Sequence, residues 1–286
     1  MTAAAPTLRV GVKRPPPSIG ARLWARTRRY ALTIVAGLAF AYLLLPIAVV
    51  VLFSFNDPAG RRNLTWQGFT FDNWLNPFSY SDLWAAVELS LKIAALSSIV
   101  ATILGTLIAL ALVRHRFRGR SATNLLIFLP MATPEIVMGS SLLTLFLNYS
   151  FPLGFATILI AHIMFNISFV VVTVRARLIG FDRHLEEAAM DLFANPLTTF
   201  FRVTLPLIAP GVIAGGLLAF ALSVDDFVIT YLVSGSEMTF PLFVWGAARV
   251  AVPPQINVIG SAIFLVAVGL MLANVLWQRR RSLKGA

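Results

Sequence analysis

The sequence predicts an all-α integral membrane protein, a bundle of six transmembrane helices. Three observations carry that prediction. Hydrophobic residues make up 58% of the 286-residue chain and charged residues only 12%, whereas an ordinary soluble domain is about 25% charged. The apolar residues gather into six runs long enough to cross a bilayer, which takes roughly 20 residues as helix. The basic residues cluster beside those runs, with almost none inside them. Such a composition excludes a disordered chain and argues strongly against a soluble globule.

The six runs are Tyr30–Phe55, Leu83–Val113, Asn124–Leu147, Gly154–Val174, Leu207–Thr230 and Ile256–Trp277. Lipid offers no partner for bare backbone N–H and C=O groups, so runs of this length must be helical. The alternating pattern of a membrane barrel is missing. The first run is too long for the roughly 7–15-residue core of a cleaved signal peptide, so it is expected to be retained as a helix. The chain divides accordingly into a disordered basic tail (1–29, containing Pro15-Pro16-Pro17), a transmembrane domain (30–278) and a second basic tail (279–286).

Basic residues set the orientation. The first tail holds Arg9, Lys13, Arg14, Arg22, Arg26, Arg28 and Arg29; the second run is followed by Arg114, Arg116, Arg118 and Arg120. Arg175, Arg177, Arg183 and Arg202 lie between runs four and five, and Arg279, Arg280, Arg281 and Lys284 follow run six. The alternate connections hold only Arg61, Arg62 and Arg249. Positive residues stay on the cytoplasmic side, so both termini are expected there, as six crossings also require.

Several chemistries drop out. With no cysteine there is no thiolate site. The histidines (His115, His162, His184) have no metal-ligand spacing, so no metal is expected. A net charge of +11 raises the question of nucleic acid, but its position beside apolar spans points to the membrane surface instead. The chain has no Gly-x4-Gly-Lys-[Ser/Thr] loop, so it binds no ATP by that route and is not expected to be an enzyme.

The first external connection carries Trp66, Phe69, Phe71, Trp74 and Phe78, either an aromatic belt at the headgroups or a docking surface. The interrupted stretch Ser234–Pro254 reads as a short external or re-entrant helix packed on the bundle. Between runs four and five, the charged segment 182–204 reads as two short helices. Asp182 caps the first, with Glu186 and Glu187 near its positive end. Asn195-Pro196 opens the second as cap and first residue. Bundle connections usually run 2–8 residues, so a segment this long is expected to touch a partner.

That segment reads Glu187-Ala188-Ala189-Met190-Asp191-Leu192-Phe193-Ala194 and, further on, Thr204-Leu205-Pro206. It resembles the EAA loop of permease subunits of binding-protein-dependent ABC importers, whose pattern is Glu-Ala-Ala, a glycine, then Ile-x-Leu-Pro. Phe193 stands where that pattern has glycine, and Val203 where it has Ile. Further strings (Trp66-Gln67-Gly68-Phe69-Thr70, Asn73-Trp74, Ser90-Leu91-Lys92-Ile93-Ala94, Pro134-Glu135-Ile136-Val137-Met138-Gly139, Ser223-Val224-Asp225-Asp226-Phe227) resemble the spermidine/putrescine branch. The resemblance implies a type I, MetI-like permease fold with both termini inside, and a bacterial inner-membrane location. It implies four partners: a cytoplasmic ATPase dimer that binds ATP-Mg, a second permease subunit, an extracytoplasmic solute-binding protein and a polyamine. It further implies that Glu187, Ala188, Ala189, Asp191, Phe193, Leu205 and Pro206 couple the chain to the ATPase. Phe193 either alters the turn or plugs an ATPase pocket.

Three acids fall in the apolar runs. Glu135 is roughly 17 Å into the third at 1.5 Å per residue, after Pro130 and Pro134, where a kink or break is expected. Asp225 and Asp226 lie toward the outer end of the fifth. Either these acids form a cation path, or they pair with a second subunit, cap a broken helix or face external water. Adjacent helical residues point about 100° apart, so both aspartates cannot face one narrow channel equally. His162 is either a satisfied interior histidine or a proton relay. Gly105-xxx-Ala109 and Gly211-xxx-Gly215 permit close helix crossings. The rivals are an importer of another small solute and a gradient-driven secondary transporter, which should show an internal repeat.

Overall fold

The computed structural model describes the backbone of residues 19–60, 62–182, 184–250 and 252–284, with side chains left out before Gly20, from 21 to 29, and for most positions after Gly269. In chain order the helices are α1 (Ile19–Phe53), α2 (Asp72–Leu75), α3 (Ser81–Arg114), α4 (Arg120–Ala132), α5 (Glu135–Asn148) and α6 (Phe155–Ile179). There follow α7 (His184–Asp191), α8 (Pro196–Thr199), a π-helical turn (Phe200–Thr204), α9 (Leu205–Asp225), α10 (Val228–Val233), α11 (Phe240–Val250) and α12 (Pro254–Lys284).

The expected runs become helices, with differences at their ends and with interior breaks in the third, between α4 and α5, and in the fifth, between α9 and α10. α1 starts at Ile19, before the expected Tyr30, so part of the expected tail is helical; residues 1–18 lie outside the described residues. α12 continues to Lys284 through most of the expected second tail, whose last two residues are also outside. Among the described residues, four helical stretches are long and apolar enough to cross a membrane, or five if a bent pair counts as one. The sixth expected run contributes only the shorter apolar stretch Pro254–Gly269 by the same test.

The bent pair is α4 and α5, whose axes turn by 108°. Pro134 forces the cause: the residue before a proline is pushed out of helical geometry, and Thr133 is extended at φ −83° and ψ 133°. The pair nevertheless traverses the length of α6. Ile127 of α4 joins a buried cluster with Val171, Val174 and Leu178 near the C-terminal end of α6. Met138, Leu142 and Phe146 of α5 join another with Ile158, Ala161 and Phe165 near its start.

Two compact units make up the chain: Met1–Ser54 with Gly260–Ala286, and Phe55–Ile259. In the first, the Tyr30–Phe53 stretch of α1 buries none of its side chains. The second has α3, α6 and α9 at its centre, held close by glycines. A Cβ on Gly105 would lie 2.7 Å from Val170, one on Gly211 2.7 Å from Arg177, and one on Gly216 2.9 Å from Thr102. Without association driven by water, such close backbone approach is what packs helices in lipid.

At the end opposite the Arg114 terminus of α3, the expected interrupted stretch contains one short helix, α11, whose Phe240 N–H donates to Ser90 Oγ at 2.8 Å. Phe240, Phe243 and Val244 pack on Leu83, Val87, Ile256 and Ile259. The loop before α3 is organised by Asn56. Its amide donates to Asn63 Oδ1 (2.6 Å) and Thr65 O (2.8 Å), and its Oδ1 accepts from Gln67 N (2.8 Å). Around it Phe55 stacks on Phe69 and Trp74 and meets Phe71 edge-on, as Phe69 also does, with ring centroids 4.9–5.6 Å apart.

Candidate functional site

The charged segment at the arginine-rich end folds from local signals. Asp182 Oδ1 accepts from the N–H of His184 at 3.0 Å and starts α7. Asn195 Oδ1 accepts from Thr198 N at 2.8 Å and Pro196 is the first residue of α8. Between them Phe193 adopts φ 64°, the left-handed region. A side chain there costs of order 1–2 kcal/mol, and its ring gains nothing from the rest of the chain, being 99% exposed. Leu192 and Leu197 flank it, also largely exposed.

α7 buries no residue. Ala188 and Asp191 are exposed, Ala189 is half-buried, and Glu187 pairs with His184 at 3.1 Å, its one bonded partner among the described residues, with both side chains largely in solvent. Its neighbour Glu186 instead turns into the bundle. Its carboxylate accepts from the Arg114 guanidinium and from the Thr204 hydroxyl, and Arg114 also reaches Thr204 Oγ1 at 3.3 Å. Leu205 packs on the buried cluster around Ala109 and Val174, and Pro206 lies exposed in the first turn of α9. In the sequence Glu186, like Glu187, reads only as a charge near the helix's positive end, and Arg114 only as one of the orienting basic residues. The available signal was the tandem of glutamates, of which a helix can turn only one toward a given neighbour.

The three acids of the apolar runs sit at two helix breaks. Glu135 is the first residue of α5, exposed, and has no bonded partner among the described residues. Asp226 ends α9 in extended geometry just before α10. The two short helices pack together: a Cβ on Gly139 would lie 2.7 Å from Leu232 and 3.3 Å from the Ile229 backbone. Glu135 therefore lies in the first turn of α5 and Asp226 just before α10, at positively polarised helix ends where a negative charge is stabilised.

The aspartates part company. Asp225 is exposed. Asp226 Oδ2 accepts from Thr230 N (2.8 Å) and Thr230 Oγ1 (2.7 Å) and lies 3.3 Å from Nε2 of His162. His162 Nδ1 meets Ser223 Oγ at 2.6 Å, which accepts from Ser97 Oγ at 3.1 Å. The chain thus brings His162 and Asp226 together in a buried polar network, while Glu135 and Asp225 stay outside it.

At the α11 end, a cavity of about 590 Å³ is lined by Asp82, Glu88, Glu237 and Lys92, with Leu89 and Phe243 among its apolar walls. Lys92 is paired with Glu88 at 2.6 Å. Nothing in the sequence reading singled out this cavity, because its acids come from α3 and a distant loop.

Comparison with known proteins decides the family. Residues 101–281 match the model of the binding-protein-dependent transport system inner membrane component. The chain belongs to that family. The permease is 39% identical over 245 residues to the spermidine/putrescine transport system permease protein PotC of Escherichia coli K12, covering 85% of this chain and 92% of that one. It is 41% identical over 243 residues to the putrescine transport system permease protein PotI of the same strain, covering 82% and 85%. Among solved structures it resembles a bacterial ABC transporter involved in the import of the acidic polysaccharide alginate. That match has a TM-score of 0.63 at 20% identity and covers 93% of this chain and 99% of the other. An alginate transporter in complex with pentasaccharide-bound periplasmic protein matches with TM-score 0.61 at 16% identity, over 87% and 94%. The permease is accordingly a multi-pass, all-helical inner-membrane transport subunit of the type I importer fold.

Proposed function

We propose that this permease carries polyamines, spermidine or putrescine, inward as one of two membrane subunits of an ATP-driven importer. The observation that carries the reading is its 39–41% identity, along most of both chains, to permeases named for those substrates. The chemistry agrees. Polyamines are flexible polycations, and an acid at a helix break with no bonded partner among the described residues, Glu135, suits a cation in transit. The cavity lined by Asp82, Glu88 and Glu237 supplies net negative charge at the opposite end from the arginines, where a solute-binding protein would release its cargo.

In this reading the arginine-rich end is cytoplasmic, both termini are inside, and α1, α3, the α4–α5 pair, α6, α9 and α12 make six crossings. The α7–α8 segment docks on a separate ATPase, which alone binds ATP-Mg. Exposed Leu192, Phe193 and Leu197 offer it an apolar surface, and Glu187 a solvated carboxylate held only by exposed His184 among the described residues. Closure of the ATPase dimer moves this segment as a rigid lever and turns the path outward.

The test is uptake of radiolabelled spermidine and putrescine by proteoliposomes holding the permease with an ATPase, a second permease and a solute-binding protein from the same organism. Accumulation should require ATP and all four proteins. Accumulation by the permease alone without nucleotide overturns the importer reading, and ATP-driven uptake of another solute with neither polyamine competing overturns the substrate.

A further inference from the structure

We infer that Glu186, clamped by Arg114 and Thr204, is the positioning residue that carries displacement of α7 into the bundle. The inference rests on the importer reading and assigns the two adjacent glutamates different work: Glu187 meets the partner, and Glu186 holds the lever to its own chain.

Three observations support it. First, α7 buries no residue, so apolar packing ties it to the bundle only weakly, and the Glu186 bond supplies a side-chain tie in its place. Second, the clamp is sheltered. The Glu186 and Arg114 side chains are only 13% and 22% exposed, unlike the solvated Glu187–His184 pair. A charge-assisted bond with a second donor in partial shelter is stiffer than a surface ion pair, which contributes little. Third, the clamp joins the elements that must move. Arg114 is the last residue of α3, and Thr204, fully buried, ends the π-helical turn that runs straight into α9. That turn is wider than an α-turn, with Leu205 N donating to Phe200 O, and such insertions recur at functional sites. A push on α7 therefore reaches α3 and α9 together, the two helices that carry the rims of the outer cavity and the Asp225–Asp226 break.

The experiment uses the complete reconstituted importer and radiolabelled spermidine. Glu186→Gln keeps the side-chain shape and weakens the clamp. The ATPase should co-purify at wild-type stoichiometry and hydrolyse ATP within about twofold of the wild-type rate, while uptake per ATP falls about tenfold, the scale of a lost coupling contact. A charge swap, Arg114→Glu with Glu186→Arg, should restore uptake per ATP. Because the chain has no cysteine, Arg114→Cys with Glu186→Cys can be bridged by a short bifunctional thiol reagent, and bridging should restore it too. Unchanged uptake per ATP in Glu186→Gln overturns the inference. So does a fall in uptake that only follows folded yield, or loss of ATPase binding in Glu186→Gln with retention in Glu187→Ala. A wild-type permease that retains no ATPase overturns the importer reading itself, a result separable from these.

Discussion

Nε2 of His162 lies 3.3 Å from Oδ2 of Asp226, with both side chains almost wholly buried. The Thr230 hydroxyl gives its proton to Asp226, so its oxygen accepts from His162 Nε2–H at 2.9 Å. This closes a ring of partners across α6, α9 and α10. Removing the carboxylate strands the Thr230 N–H and the imidazole in a dry interior. Asp226→Ala should therefore lower the stability of the purified permease by about 3 kcal/mol, the scale for breaking a buried pair. Asp225→Ala, at an exposed position, should stay within about 0.5 kcal/mol. Thermal unfolding in detergent measures both. A fully stable Asp226→Ala variant with abolished uptake would move this carboxylate from the scaffold to the transport path.

Glu135 is the opposite case. It is exposed and without a bonded partner among the described residues, so Glu135→Gln should cost no more than the helix-end charge interaction, about 0.5 kcal/mol. If the charge serves a passing polycation, spermidine uptake in that variant should drop about tenfold, the equivalent of roughly 1.4 kcal/mol. Normal uptake would leave the acid as a helix-end charge and nothing more.

These two acids show what the sequence could and could not tell. The long helices were legible because lipid demands unbroken apolar runs, and the α4–α5 break because Pro134 acts on its immediate neighbour. The caps Asp182 and Asn195 were equally local. The break after Asp225 was legible only as one alternative among several, an acid capping a broken helix. No proline or glycine marks it, and the run Leu207–Thr230 reads as continuous; the bonds that fix Asp226 come partly from His162, far away in the chain. The division of labour between Glu186 and Glu187 was hidden for the same reason, since it depends on which face of α7 meets Arg114.

The glycine contacts give a packing test. Gly105 faces the stiff, β-branched Val170, and a Cβ there would sit 2.7 Å from Cγ1 and 3.3 Å from the Ile167 carbonyl. Gly105→Ala should thus force α3 and α6 apart and cost about 1–3 kcal/mol. Gly37→Ala, where nothing lies within 4 Å of the added carbon, should be neutral or slightly stabilising, since alanine is the better helix former. Equal unfolding midpoints for the two variants would show that the α3–α6 crossing tolerates a wider spacing.

Phe193 combines two features that pull apart. Its backbone at φ 64° favours glycine, yet it holds an aromatic ring almost entirely in solvent. Phe193→Gly should relieve the strain and stabilise the isolated permease by about 1 kcal/mol, less whatever the freer unfolded chain gains. If the ring seats in the ATPase, the same change should weaken ATPase co-purification, with truncation of a buried aromatic anchor costing 2 kcal/mol or more, roughly thirtyfold in affinity. Phe193→Leu separates the two effects, since it keeps the strain and part of the apolar contact, and should bind with intermediate affinity. Stronger ATPase binding by Phe193→Gly than by the native chain would mean that the ring only distorts the turn.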